Sequence, residues 1–273
     1  MSFGRAEVLH GVSVSVARGA VVGILGPNGS GKTTLLRVLS GGLAPSAGQV
    51  TLDGVPLADV PRRRLAQRVA VVPQEIHPVF DYSVLDLALM GRYAHLGAFD
   101  FETPEDIVRA RQALAATGTA DLECRPFETL SGGEKQRVVI ASALAQFDGL
   151  DDLSRAATPP VAADPGDSRV LVLDEPTAAL DLRYQVEVGL LLRRLNQGAG
   201  LTMVVSTHDL QFAAQVCDAV VLLQEGRVLA AGATAETLTP EHVRELYGVD
   251  VDELVHRDGR RALVPVGLPE RWR

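Results

Sequence analysis

Three stretches of this chain carry residue types at spacings that could do chemistry on a phosphorylated molecule. Gly26, Pro27, Asn28, Gly29, Ser30, Gly31, Lys32, Thr33 and Thr34 form GPNGSGKTT, which fits G-x-x-x-x-G-K-[ST]. Glycines let backbone N–H groups turn inward around phosphate oxygens, Lys32 can reach the β- and γ-phosphates, and the Thr33 hydroxyl can ligate Mg²⁺. The flanks agree, since the apolar run VVGIL precedes the loop and KTTLLRVLSG follows it at helical period. Next, VLVLDE sets Asp174 and Glu175 after four apolar residues, at the carboxyl edge of a sheet where nucleotides bind in such folds. Asp174 is a candidate Mg²⁺ ligand. Glu175 is a candidate general base for an attacking water, because metal and lysine stabilise charge but accept no proton. Taken alone, such an acidic pair would read as a helix cap. Finally, His208 in VVSTHDL follows another strand end and is placed to touch a γ-phosphate, with an ordinary polar role as its alternative.

Gln74, ending VAVVPQ, is placed to sense metal and water, or else is a surface amide at a strand end. No N-K-x-D guanine reader occurs. A second glycine pair stands in LSGGEKQ, where Ser131 offers a hydroxyl, Gly132 and Gly133 expose N–H groups, and EKQRVVIASALAQ supplies a helix with its positive end forward. Ser131 and Glu134 also match a capping box, so the same residues can simply open their own helix.

These residues need a scaffold. Short β-branched runs at 21–25, 69–72, 170–173, 201–206 and 219–223 alternate with helical stretches, the pattern of a parallel sheet covered on both faces. A mostly helical insert is expected over about 83–147, with Pro104 as a helix start and Glu105 and Asp106 in its first turn. Residues 147–168 are rich in Asp and Pro and read as a mobile surface loop. Asp258-Gly259 between ELVHR and RRALVPV predicts a hairpin in a tail over 249–273. No internal repeat is visible.

Composition bounds the function. The 273 residues are 47% apolar, enough for at least one full core. With 26 basic against 34 acidic residues the net charge is -8, which argues against a nucleic-acid partner. Cys124 and Cys217 sit in no ligand spacing and fit a reducing compartment. The start MSFGRAEVLHG lacks a signal-peptide pattern and the apolar runs are too short to cross a bilayer, so a cytoplasmic location is expected, with any membrane association through a partner.

Together the motifs resemble the ATP-binding subunits of ABC transporters over nearly the whole chain. The likeness consists of GPNGSGKT as Walker A, Gln74 as the Q-loop glutamine, LSGGEKQ as the family signature, VLVLDE as Walker B, AALD as the D-loop and His208 as the switch histidine. It implies an α/β P-loop ATPase domain over 1–248 with a mixed, mainly parallel sheet and a helical signature subdomain. It also implies ATP and Mg²⁺ as ligands and a homodimer in which Ser131, Gly132 and Gly133 close over the neighbour's ATP while Asp181 makes a cross-dimer contact. Phe3 is the only aromatic in the first twenty residues and so the candidate for stacking on adenine, although the family's opening strand has no counterpart before it. The D-loop reads Ala178-Ala179-Leu180-Asp181, without the serine common there.

MGRYAHLG and LTPEHVRELYGVDV look like importers of iron chelates, haem or cobalamin. That resemblance implies a transmembrane permease that holds the subunit on the inner face of the cell membrane and, indirectly, a substrate-binding protein. Phe80, Tyr82, Tyr93, Phe99 and Phe101 gather between Gln74 and the signature, where they suit either a docking groove for a partner helix or the core of the insert. The alternative function is a soluble ABC ATPase acting on nucleic acid or ribosomes.

Overall fold

In the central strands neighbouring side chains point to opposite faces and both faces are apolar, so each strand must be covered on both sides. The computed structural model describes residues 2–3, 6–76, 78–97, 99–149, 168–178, 180–257 and 261–268, with the backbone alone at 2–3 and 6–7. Its strands are β1 (Ser2–Phe3), β2 (Ala6–Glu7), β3 (Val21–Leu25), β4 (Thr51–Leu52), β5 (Val55–Pro56), β6 (Val69–Val72), β7 (Val170–Asp174), β8 (Thr202–Thr207), β9 (Ala219–Gln224), β10 (Arg227–Ala233), β11 (Asp250–Val255) and β12 (Arg261–Gly267). Its helices are α1 (Lys32–Leu39), α2 (Arg62–Ala66), α3 (Val84–Met90), α4 (Pro104–Ala116), α5 (Gly132–Ala145), α6 (Leu182–Ala199), α7 (Leu210–Val216), α8 (Thr234–Thr237) and α9 (Pro240–Tyr247).

The main sheet has the order β10-β9-β3-β8-β7-β6, parallel throughout except for β10, which runs antiparallel to β9. The mixed, mainly parallel sheet expected from the sequence is therefore present. Alternation divides its side chains between two cores. Leu171, Leu173, Met203, Val205, Val220 and Leu222 face the larger one, which also holds the buried residues of α3 to α7. Val172, Val204, Ile24 and Leu223 face the smaller one, closed by Leu35, Leu36 and Val38 of α1. Fully burying each such side chain contributes about 1.5–3 kcal/mol before chain entropy is charged against it.

The helical insert also forms where expected. Each of its helices opens on a capping box, Ser83 with Asp86, Thr103 with Asp106 and Ser131 with Glu134. The insert is tied together by Arg92, whose Nε donates to Asp106 Oδ1 at 2.9 Å while Nη1 donates to the Ala145 carbonyl at 2.8 Å and to Asp148 Oδ1 at 3.0 Å. Both Arg92 and Asp106 are buried. Gly91 lets this corner close: a Cβ there would stand 2.0 Å from the Ser142 carbonyl oxygen of α5.

The ends of the 147–168 segment are anchored, since Phe147 is buried and the Ser168 amide donates to Asp53 at 3.2 Å; residues 150–167, on which the mobile-loop expectation falls, lie outside the described residues. In the tail β11 and β12 pair antiparallel, with Val251 and Leu263 buried against the main core. The expected turn at Asp258-Gly259 lies outside the described residues. Phe3 falls in β1, paired with Ala6, and its side chain likewise lies outside them. Among the described residues no helix is long and apolar enough to cross a membrane.

Removing one partner of a buried ion pair strands the other, so Arg92→Ala should cost about 3–5 kcal/mol in urea denaturation. Burial pushes the Asp106 carboxyl up, but hydrogen bonds from the Thr103 backbone and hydroxyl and from Arg92, with the guanidinium charge, outweigh it and lower the carboxyl from 3.8 to about 2. The depressed pKa makes Asp106 stabilising above its unfolded value, a contribution lost as pH falls through its folded one. The stability gap between the wild type and Asp106→Asn should therefore be full near neutrality and shrink as urea midpoints are taken from about pH 4 towards pH 2. A gap independent of pH would contradict the ion pair's role.

Candidate active site

The glycine-rich loop spans the end of β3 and the start of α1, and the sheet sets its shape. Gly26 is buried, and a Cβ there would come within 2.2 Å of the Leu223 carbonyl oxygen on β9, so only glycine lets the loop leave β3 at this level. Gly31, at φ 103, forms the N-cap of α1, a left-handed conformation open to glycine at little cost. A Gly226 N–H bond to the Ser30 carbonyl, 3.0 Å, ties the loop to the β9–β10 turn. The result is a cleft of about 690 Å³ lined by Pro27, Asn28, Gly29, Gly31, Lys32, Thr33 and Thr34, and also by Val8, Gln74, Glu175, His208 and Tyr247.

Lys32 is buried, and its Nζ donates to the Gly26 carbonyl at 2.8 Å and the Pro27 carbonyl at 3.3 Å. The same ammonium lies 3.5 Å from Glu175 Oε1. The other carboxylate oxygen, Oε2, is 3.1 Å from His208 Nδ1, a hydrogen bond that requires the proton on that nitrogen. Glu175 is thus held between a cation and an imidazole at the mouth of the cleft. Its backbone sits in the left-handed region at φ 46, strained for a residue with a side chain. Its N–H donates to Ser206 Oγ at 2.9 Å, and that hydroxyl donates to Asp174 Oδ1 at 2.6 Å.

The structure brings Gln74, Glu175 and His208 together with the phosphate loop, as their positions at strand ends predict. A smaller adjoining cleft of about 330 Å³ is lined by Gln74, Glu75, Glu175, Thr177, Ala178, Gln185, His208 and Asp209. Ser131, Gly132, Gly133 and Asp181 line neither cleft. Ser131 is exposed at the start of α5, where its Oγ donates to Glu134 Oε2 at 2.8 Å, so the capping reading holds within this chain. These Ser131 bonds hold the Glu134 carboxyl below its usual range. Gly133 packs on the ring of Tyr184, which a Cβ would meet at 2.2 Å. Asp181 caps α6 by accepting from the Tyr184 N–H at 3.1 Å. Phe80, Tyr93, Phe99 and Phe101 are exposed, at 69%, 56%, 94% and 86%, whereas Tyr82 packs against the core, so four of the five aromatics are not insert core.

Of the residues at the site that escape sequence reading, Ser206 and Tyr247 bear most directly on Glu175. Ser206 lies inside the apolar run of β8, where a small hydroxyl gives no signal until the neighbouring strand is known. Tyr247 ends α9 and lines the cleft from the far end of the chain. Burial pushes its phenol up to about 12, with the Glu175 charge adding to the shift and the Gly26 backbone opposing it.

The model of the ABC transporter family matches residues 9–149. The hemin import ATP-binding protein HmuV of Bordetella pertussis is 42% identical over 253 residues, covering 93% of this chain and 91% of that protein. The protein of the same name from Burkholderia pseudomallei is 41% identical over 274 residues, covering 97% and 95%. Among solved structures, an inward-facing ABC transporter described as metal-chelate type aligns with TM-score 0.79 at 28% identity, covering 97% of this chain and 94% of that one. With this family match, these relatives and this fold in agreement, the chain belongs to the ABC transporter family.

Proposed function

We propose that this chain is the ATP-hydrolysing subunit of an importer, energising uptake of haem or a similar iron chelate. The observation that carries the reading is the seat of Glu175, with one oxygen beside Lys32 and the other beside His208 at the mouth of the phosphate loop. A carboxylate so placed can take a proton from a water attacking the γ-phosphate of ATP. Lys32 turns from the Gly26 and Pro27 carbonyls to the β- and γ-phosphates, and backbone N–H groups between Asn28 and Thr34 donate to the remaining oxygens. His208 orients the γ-phosphate and the water. Phe3 is the proposed adenine contact.

Mg²⁺ fits the donors present. Thr33 and Gln74 line the cleft and Asp174 ends β7 beside it, all offering the hard oxygens that Mg²⁺ prefers. Mg²⁺ at nucleotide sites is held by one or two protein groups, with phosphate and water supplying the rest. When bound, the ion neutralises charge on the β- and γ-phosphates.

Two copies would face each other, each presenting Ser131, Gly132 and Gly133 to the ATP of the other and touching it through Asp181. The placement of these residues away from their own cleft supports that reading. Residues 1–248 would then form the ATPase unit, with 83–147 as its signature subdomain and 249–273 as a docked tail. The exposed Phe80, Tyr93, Phe99 and Phe101 would meet a cytoplasmic helix of a transmembrane permease, which holds the subunit on the inner membrane face and takes cargo from a substrate-binding protein. The cargo rests on the HmuV relatives and the metal-chelate type transporter. A nucleic-acid or ribosome ATPase has less support from a chain of net charge -8 with these relatives.

Glu175→Gln should bind ATP, accumulate as a dimer on size exclusion and turn over about 10²–10⁴-fold more slowly; wild-type turnover would remove Glu175 from the base role. Phe99→Glu with Phe101→Glu should leave the ATPase rate of the isolated subunit unchanged while abolishing co-purification with the permease. Retained co-purification would move the docking surface elsewhere.

A further inference from the structure

We propose that Ser206 is a positioning residue for both acids at the end of β7, a role that rests on the ATPase reading above. Ser206 is fully buried, at 0% exposure, in the middle of the sheet between β3 and β7. On β8 it is preceded by Met203, Val204 and Val205 and followed by Thr207, and a valine would suit the position if packing alone decided it. A buried hydroxyl is retained at a cost unless it is bonded, and this one is bonded twice. Its O–H donates to Asp174 Oδ1 at 2.6 Å, a short bond to a carboxylate. Its oxygen accepts the Glu175 N–H at 2.9 Å, and the Ser206 carbonyl accepts the same N–H at 3.2 Å.

One hydroxyl thereby acts on two groups with different tasks. It engages Oδ1 of Asp174 and so orients the carboxylate proposed to meet Mg²⁺. It also holds the amide of Glu175 at φ 46, the turn from which that side chain reaches Lys32 and His208. An alanine would release both together: Asp174 would lose its orienting donor, and the strained backbone of Glu175 would keep only the carbonyl acceptor. Groups that orient a metal ligand without touching the metal typically change affinity or activity by about 10–100-fold.

The test compares wild type, Ser206→Ala, Asp174→Asn and the double variant. Mn²⁺ affinity is read by electron paramagnetic resonance on the ADP-loaded protein, with ATPase kcat and KM measured beside it. Ser206→Ala should weaken Mn²⁺ binding by about tenfold and lower kcat by a similar factor, with KM for ATP within about twofold of wild type. In the Asp174→Asn background Ser206→Ala should weaken Mn²⁺ binding no further. Wild-type Mn²⁺ affinity in Ser206→Ala, or equal losses in both backgrounds, would overturn the proposal. Should wild type bind nucleotide yet hydrolyse nothing, the ATPase reading fails, and the Mn²⁺ cycle still decides for or against Ser206.

Discussion

The parallel pairing of β3, β8 and β7 is the constraint on which all the chemistry depends. Leu25 pairs with Thr207, and Asp174 pairs with Ser206, so three strands reach the same edge of the sheet within a residue of one another. The phosphate loop, the acidic pair and the histidine lie far apart in sequence, yet Gly26 and His208 each follow a strand end by one step and Asp174–Glu175 straddles the end of β7. Their meeting therefore needs no special contact among the loops. It follows from burying three apolar strands in register, which a one-residue slip would undo by turning every side chain to the opposite face.

That dependence explains what was legible in advance. The central strands were readable because unbroken apolar runs such as VLVL and VVGIL have no stable place except a sheet covered on both faces. Pro104 and the Ser131–Glu134 pair marked the starts of α4 and α5 because they answer local needs of the backbone, whereas the Ser83 cap of α3 was not read. The run RVLAAGA of the antiparallel edge strand β10 was not read as a strand, since Val228 and Leu229 are its only large apolar residues and it gains its place by pairing with β9. Ser206 and Tyr247 were illegible for a related reason: Ser206 acquires its meaning from Asp174 on another strand, and Tyr247 from the cleft that the fold brings to the end of α9.

The signature loop shows how one set of residues can satisfy local and distant demands at once. Ser131 and Glu134 exchange hydrogen bonds that complete the first turn of α5, and Gly133 fits beneath the ring of Tyr184. These contacts stiffen the loop within its own subunit without burying Ser131, so the hydroxyl and the helix start remain presented outward. Pre-organisation of this kind lowers the entropy lost when a second molecule is engaged. The loop lines neither cleft of its own chain, and the walls of the larger cleft come from the phosphate loop and from Val8, Gln74, Glu175, His208 and Tyr247.

In the proposed function catalysis requires two copies, one holding ATP on its phosphate loop and the other closing it with Ser131, Gly132 and Gly133. The most direct test is ATPase activity per subunit over a dilution series that crosses the dimer dissociation constant measured under the same conditions. The composite site predicts that specific activity falls in step with the fraction of dimer. Constant activity per subunit down to fully monomeric protein would contradict it.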